Sequence, residues 1–235
     1  MSRKKLILYC YEALGLRIFM ISAGFFDAMI DHPGLPIRQK IGSALIRRFL
    51  IGLSMGLTAL FILKSPFGKR SGAYINPAVT IVQFNLGNIG KQDAFFYCLF
   101  QFAGGSTGMW LISLLIPELI KHPAINFIVT TPGSAGLTLA FILELAISFI
   151  LITVVLFSTA KKSLSKYTAY FVAILITLFI SFEAPYSGMS MNPARTFASA
   201  IVANQWNAFW LYCTAPVLGM LLGQWCFQKY NWEKP

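Results

Sequence analysis

Six apolar runs organise the 235-residue chain, at roughly 6–30, 49–63, 95–117, 136–160, 167–183 and 207–227. Each is near the ~20 residues that a bilayer span requires, the second and fifth being somewhat short. They predict six transmembrane helices. Two shorter helices are predicted where Asn precedes Pro, in "SGAYINPAVT" (71–80) and "SGMSMNPART" (187–196). Asn can cap a helix and Pro fits its first turn. Gly87 ends the first of these after about ten residues, so it is only ~15 Å long at 1.5 Å per residue. The first apolar run follows "MSRKK", which resembles the start of a signal peptide. Its length, the presence of Glu12 and Arg17 and the lack of an Ala-x-Ala site make it a span instead.

The pattern repeats. "YEALGLRIF" and "LELAISFIL" each place one Glu inside an apolar run, at Glu12 and Glu144, and the second Asn-Pro lies 116 residues after the first (192 − 76 = 116). Each half reads span, span, short helix, span: about 1–117 and 136–235, joined by the Pro-containing loop 118–135 in a single membrane domain. Three spans per half force the second half into the membrane in the opposite orientation, and inverted repeats of this kind build a midplane site from half-helix ends. A ~15 Å helix is half of the ~30 Å hydrocarbon core. The two half-helices are therefore expected to enter from opposite sides and meet at the centre. Residues 71–75 and 187–191 are not expected to be helical throughout. Irregular backbone at that depth must be buried in protein or line water, which points to a water-lined pore.

Composition agrees: 57% hydrophobic and 11% charged residues, with mean hydropathy +0.67, against about 25% charged in soluble domains. The net charge of +11 would suggest nucleic acid in a soluble protein. Here the positive-inside rule accounts for it, and no nucleic-acid partner is expected. One side of a six-span arrangement holds Arg3, Lys4, Lys5, Lys64, Lys69, Arg70, Lys91, Lys161, Lys162, Lys166, Lys229 and Lys234; the other holds Arg38, Lys40, Arg47, Arg48 and Lys121. Twelve against five places both termini in the cytoplasm, in a cell membrane. Cys10, Cys98, Cys213 and Cys226 fall in spans without metal-ligand spacing and read as small hydrophobes. His32 and His122 sit in loops beside prolines and read as surface residues. No catalytic constellation is present, and neither enzyme activity nor a cofactor or metal is expected.

The two Asn-Pro-Ala boxes, with Glu12, Glu144, Gln101 and Pro216, resemble the aquaporin (major intrinsic protein) family over nearly the whole chain. That resemblance implies an all-α membrane fold of six transmembrane helices and two re-entrant half-helices, and a homotetramer with one pore per subunit. Asn76 and Asn192 would present amide groups to the pore while their oxygens cap the half-helices. A central water accepting from both cannot relay a proton, and the two positive helix ends oppose cations. Pro77 and Pro193 would set the helix starts, and Ala78 and Ala194 would let the ends pack. Carbonyls of Gly72, Ala73, Tyr74, Gly188, Met189 and Ser190 would replace part of the hydration of a permeating molecule. Glu12 and Glu144 would brace the loops through backbone N–H groups, with Gln101 beside them.

In the family, the Arg after the second box lines the outer constriction. Here it is Arg195. The other filter positions depart from the water-selective pattern. They are Ile180, where water-specific members carry His, Met189, and Met55 if the position is taken from the Gly-Leu pair that follows it; direct counting gives Gly56. A filter of Met55, Ile180, Met189 and Arg195 has no aromatic and no His, which suits solutes larger than water. Thr196, in place of the Asp usual in glycerol facilitators, with Ala200 and Tyr212, points to the water-channel branch, whereas Cys213 replaces a common Trp. Tyr74 is expected to pack against neighbouring helices more than to narrow the cytoplasmic mouth. Glu183 is a candidate partner for an outer Arg, and Arg17 is open between snorkelling, pairing with Glu12 and a subunit interface. The expected function is passive water flow excluding protons and ions. The alternatives are a broader facilitator of glycerol, urea, ammonia or hydrogen peroxide, a closed-pore structural or adhesion protein, and a coupled transporter.

Overall fold

The computed structural model describes residues 2–230. Lys234, counted above among the inner cations, lies outside the described residues. Eight helices carry the fold: α1 (Arg3–Asp31), α2 (Ala44–Lys64), α3 (Pro77–Asn85), α4 (Lys91–Leu115), α5 (Leu137–Ala160), α6 (Thr168–Phe182), α7 (Pro193–Ala203) and α8 (Phe209–Lys229). There is no strand among the described residues. Helices α1, α2, α4 and α5, and the segment Ser165–Phe182 that contains α6, are long and apolar enough to cross a membrane. Helix α8 has the same 21-residue length as α2 but carries Thr214, Gln224 and Gln228, which dilute its apolar character. The short α3 and α7 have nine and eleven residues, or about 14 and 17 Å.

Three helix pairs form the frame: α1 with α4, α2 with α6, and α5 with α8. Glycines set how closely they approach. A Cβ on Gly104 would lie 2.2 Å from the Ala13 carbonyl oxygen, and one on Gly219 would lie 2.2 Å from that of Leu145. Gly56 faces the Ala173 carbonyl in the same way, at 2.5 Å. Any side chain at these positions would force backbones apart, because packed interiors leave no slack for an added methyl.

The two halves make the same contacts with different residues. Gly104 on Ala13 recurs as Gly219 on Leu145 (219 − 104 = 115; 145 − 13 = 132). The Tyr97 hydroxyl donates to the Ser71 carbonyl at 2.9 Å, and the Tyr212 hydroxyl donates to the Ser187 carbonyl at 2.6 Å. The fold is thus an inverted repeat, with α3 and α7 as its half-helices. Each half-helix is reached through a short helical segment, Pro66–Ser71 or Ala184–Ser187, which ends on a left-handed glycine, Gly72 (φ 92°) or Gly188 (φ 84°). A residue with a Cβ is disfavoured there.

Candidate pore

The loops that lead from these glycines into α3 and α7 are irregular in the same way. Ala73 and Ile75 in the first, and Met189 and Met191 in the second, have φ between 41° and 53°. The left-handed region costs an L-residue about 1–2 kcal/mol, so something must hold the loops. Two buried carboxylates meet them. Glu12 on α1 accepts from the backbone N–H of Tyr74 (3.2 Å) and Ile75 (2.6 Å) and from Gln101 Nε2 (2.8 Å). Glu144 on α5 accepts from the N–H of Ser190 (2.6 Å) and Met191 (2.8 Å) and from Ser187 Oγ (2.9 Å). Both side chains are fully buried. A carboxylate, which only accepts, is suited to a cluster of donors.

The Asn76 side chain serves two partners and that of Asn192 three. Asn76 Oδ1 accepts from the Ala78 N–H at 2.9 Å, and Asn192 Oδ1 accepts from those of Ala194 (3.0 Å) and Arg195 (3.3 Å), so both cap their half-helices. Asn76 Nδ2 donates to the Met191 carbonyl at 2.7 Å, and Asn192 Nδ2 donates to the Ile75 carbonyl at 2.8 Å. These bonds cross between the halves and tie the two loop ends together. An amide has two N–H groups, so each Asn retains one. Ala78 and Ala194 are buried where the ends meet, as small side chains allow.

Both Asn side chains line a cavity of about 480 Å³ that runs between the helices. Its walls follow the repeat. Phe19, Ala23 and Asp27 of α1 correspond to Leu151, Val155 and Thr159 of α5, 132 residues on (151 − 19 = 132). Ile51, Met55, Ala59 and Leu63 of α2 correspond to Thr168, Val172, Ile176 and Ile180 of α6, 117 on (180 − 63 = 117). The four-residue spacing presents one face of each helix, and twelve residues of α2 extend the lining over about 18 Å. Gly72, Ala73 and Tyr74 of one loop and Gly188, Met189 and Ser190 of the other also reach the cavity. Met55, Ile180, Met189 and Arg195 share it, whereas Gly56 is packed on α6. Side chains lean toward the N-terminus of their helix.

The structure departs from the sequence reading at some residues and adds to it at others. The linker 118–135 is more than a connection: Ile128 lines the cavity, and Arg195 donates from Nη1 to the Thr130 hydroxyl. Glu183 does not pair with an arginine. It is buried, neither carboxylate oxygen has a hydrogen-bond partner among the described residues, and the neighbouring Ser187 hydroxyl donates to Glu144 instead. The nearby arginines are committed elsewhere, Arg38 and Arg47 to Asp31 and Arg48 to the Ser181 carbonyl. His32 and His122 are half-buried, with ring centroids 4.5 Å apart. Arg17 donates to the Thr107 hydroxyl of α4 at 3.0 Å. Tyr74 lines the cavity and also packs against the Tyr97 ring, 5.6 Å away. Asp27 was not anticipated at all. Its signal is the helical spacing from Phe19 and Ala23, and with Arg195 it is one of two charged side chains lining the cavity among the described residues.

A multi-pass membrane protein whose two half-helices end on a lined internal passage is of the channel class. The family model described as Major intrinsic protein matches residues 16–227, and the chain belongs to that family of membrane channels. It is 34% identical over 218 residues to Aquaporin NIP6-1 of Arabidopsis thaliana, covering 91% of this chain and 67% of that protein. It is 30% identical over 175 residues to Aquaporin-4 of Bos taurus, covering 74% of this chain and 53% of that one. The chain thus spans between about half and two thirds of the length of these relatives. Among solved structures, the aquaglyceroporin from Plasmodium falciparum superimposes with a TM-score of 0.83 over 96% of each chain at 21% identity, which shows the shared fold.

Proposed function

We propose that the protein is a passive water channel that excludes protons and ions. The observation that carries this reading is the paired state of the two asparagines. Each spends one N–H on the opposite loop and keeps one at the cavity wall, at the positive end of a half-helix. A water between them accepts two hydrogen bonds and has no acceptor site left for a proton relay, while the converging helix dipoles raise the energy of a cation. Met55, Ile180, Met189 and Arg195 form the selecting constriction in this reading. The carbonyls of the two loops lead water to and from the asparagines, and Glu12, Glu144 and Gln101 hold the loops. The working form is a homotetramer in the cell membrane with cytoplasmic termini, needs no cofactor and catalyses no reaction.

One observation favours a second reading, the facilitator of small neutral solutes: the proposed constriction holds two methionines and an isoleucine but no aromatic ring and no imidazole. Flexible thioethers give way to larger solutes. Stopped-flow light scattering of proteoliposomes against sucrose, glycerol and urea gradients separates the two. Shrinkage without re-swelling in glycerol and urea marks a water channel, and rapid re-swelling marks the facilitator. Shrinkage no faster than that of empty vesicles under all three gradients contradicts both.

A further inference from the structure

We propose that Asp27 is a solute-selecting residue of the pore, set against Arg195. Together they favour small neutral solutes that carry a hydrogen-bond acceptor at one end and N–H or O–H donors at the other, as amides of the urea type do. The proposal rests on the second reading above, the facilitator of small neutral solutes, and deepens it. Asp27 lines the cavity from α1, two helical turns beyond Phe19. Its neighbour Asp31 is taken up by Arg38 (3.1 Å) and Arg47 (2.5 Å). Asp27 itself has no ion pair and no side-chain hydrogen bond among the described residues, and it interacts electrostatically with Arg195 and Asp31. A carboxylate withdrawn from bulk water without a partner is costly. This one has no protein group to hold in place, and what it faces is the passage.

The repeat sharpens the point. The position corresponding to Asp27 in the second half is Thr159 (159 − 27 = 132), and the one corresponding to Arg195 in the first half is Val79 (195 − 79 = 116); all four line the cavity. One end of the passage therefore carries neither charge, and the other carries both, with opposite signs. A guanidinium offers only donors and a carboxylate only acceptors. A solute crossing between them turns its carbonyl or hydroxyl oxygen to Arg195 and its N–H or O–H to Asp27, satisfying both at once. In its ionised form the carboxylate makes hydrogen bonds roughly twice as strong as neutral ones, and so repays lost hydration better than an amide or hydroxyl would. It also offsets the positive field of Arg195.

The test replaces the charge while keeping the size, in Asp27→Asn, and separately installs the residue of the repeat's other half, in Asp27→Thr. Water, urea and glycerol permeabilities are measured in the same proteoliposomes for wild type and both variants. The urea-to-water ratio is expected to fall about fivefold, as weakening a charge-assisted bond to a neutral one implies, with glycerol following and water nearly unchanged. An unchanged ratio in either folded variant overturns the proposal, as does a wild type that passes water but neither solute. Failure of both variants to fold would mark Asp27 as structural and overturn it too. A wild type that passes neither water nor solute overturns the channel reading itself, and this inference with it.

Discussion

Replacing Glu144 tests whether one buried carboxylate holds the second loop in its strained form. It accepts three hydrogen bonds: Oε1 from the Ser187 hydroxyl and the Ser190 N–H, and Oε2 from the Met191 N–H. In Glu144→Gln the carbonyl oxygen keeps the first two. The new NH2 group faces the Met191 N–H, donor against donor. The loss of one charge-assisted bond together with an unpaired buried donor costs about 3 kcal/mol. Glu144→Ala leaves all three donors without an acceptor and opens a void, for about 5 kcal/mol. Met189 and Met191, held at φ 49° and 53°, would then relax toward ordinary backbone, drawing the Met191 carbonyl away from Asn76. The assay is twofold: thermal unfolding of the detergent-purified protein and osmotic shrinkage of proteoliposomes at equal protein density. Both the melting temperature and the permeability should fall in the order wild type, Gln, Ala. An alanine variant that melts and conducts like wild type would refute the role of Glu144 as the brace of this loop.

Ile180→His should narrow selectivity, because an imidazole adds bulk and a hydrogen-bonding group beside Arg195; water flow persists while glycerol and urea flow falls, and unchanged ratios in the folded variant remove Ile180 from the constriction. Arg195→Val installs the residue that the repeat carries at Val79 and should give a wider, leakier pore, with raised urea and glycerol flux and a lower barrier to protons; wild-type values for every flux would make Arg195 a structural residue. Mercurials should inhibit weakly, since Met189 stands at the cavity wall and the free thiols of Cys10, Cys98, Cys213 and Cys226 are not part of that lining; full reversible block of the wild type would contradict this.

The long helices are legible because each must present about 20 apolar residues to lipid. The half-helices are legible because Asn, Pro and a following stop leave few alternatives to a short capped helix. What a one-dimensional reading missed are consequences of depth and phase. The cross-loop bonds of Asn76 and Asn192 depend on carbonyls 115 and 117 residues away in sequence. Asp27 reads as an ordinary polar residue near a helix end until its phase with Phe19 and Ala23 is drawn. The buried state of Glu183 and the ring contact of His32 with His122 depend on how the ends of the helices close over one another. The linker yields nothing by periodicity, yet it supplies Thr130 to Arg195 because the chain folds back over the mouth.

Water and proton movement measured in the same vesicles test the central claim most directly. Proteoliposomes carrying a pH-sensitive dye are given an osmotic step and, separately, a pH step across a range of temperatures. A pore in which Asn76 and Asn192 hold a doubly bonded central water shows fast shrinkage with a low activation energy, and a pH gradient that decays no faster than in protein-free vesicles. Shrinkage at the rate of empty vesicles, or fast collapse of the pH gradient through the wild-type protein, would contradict it.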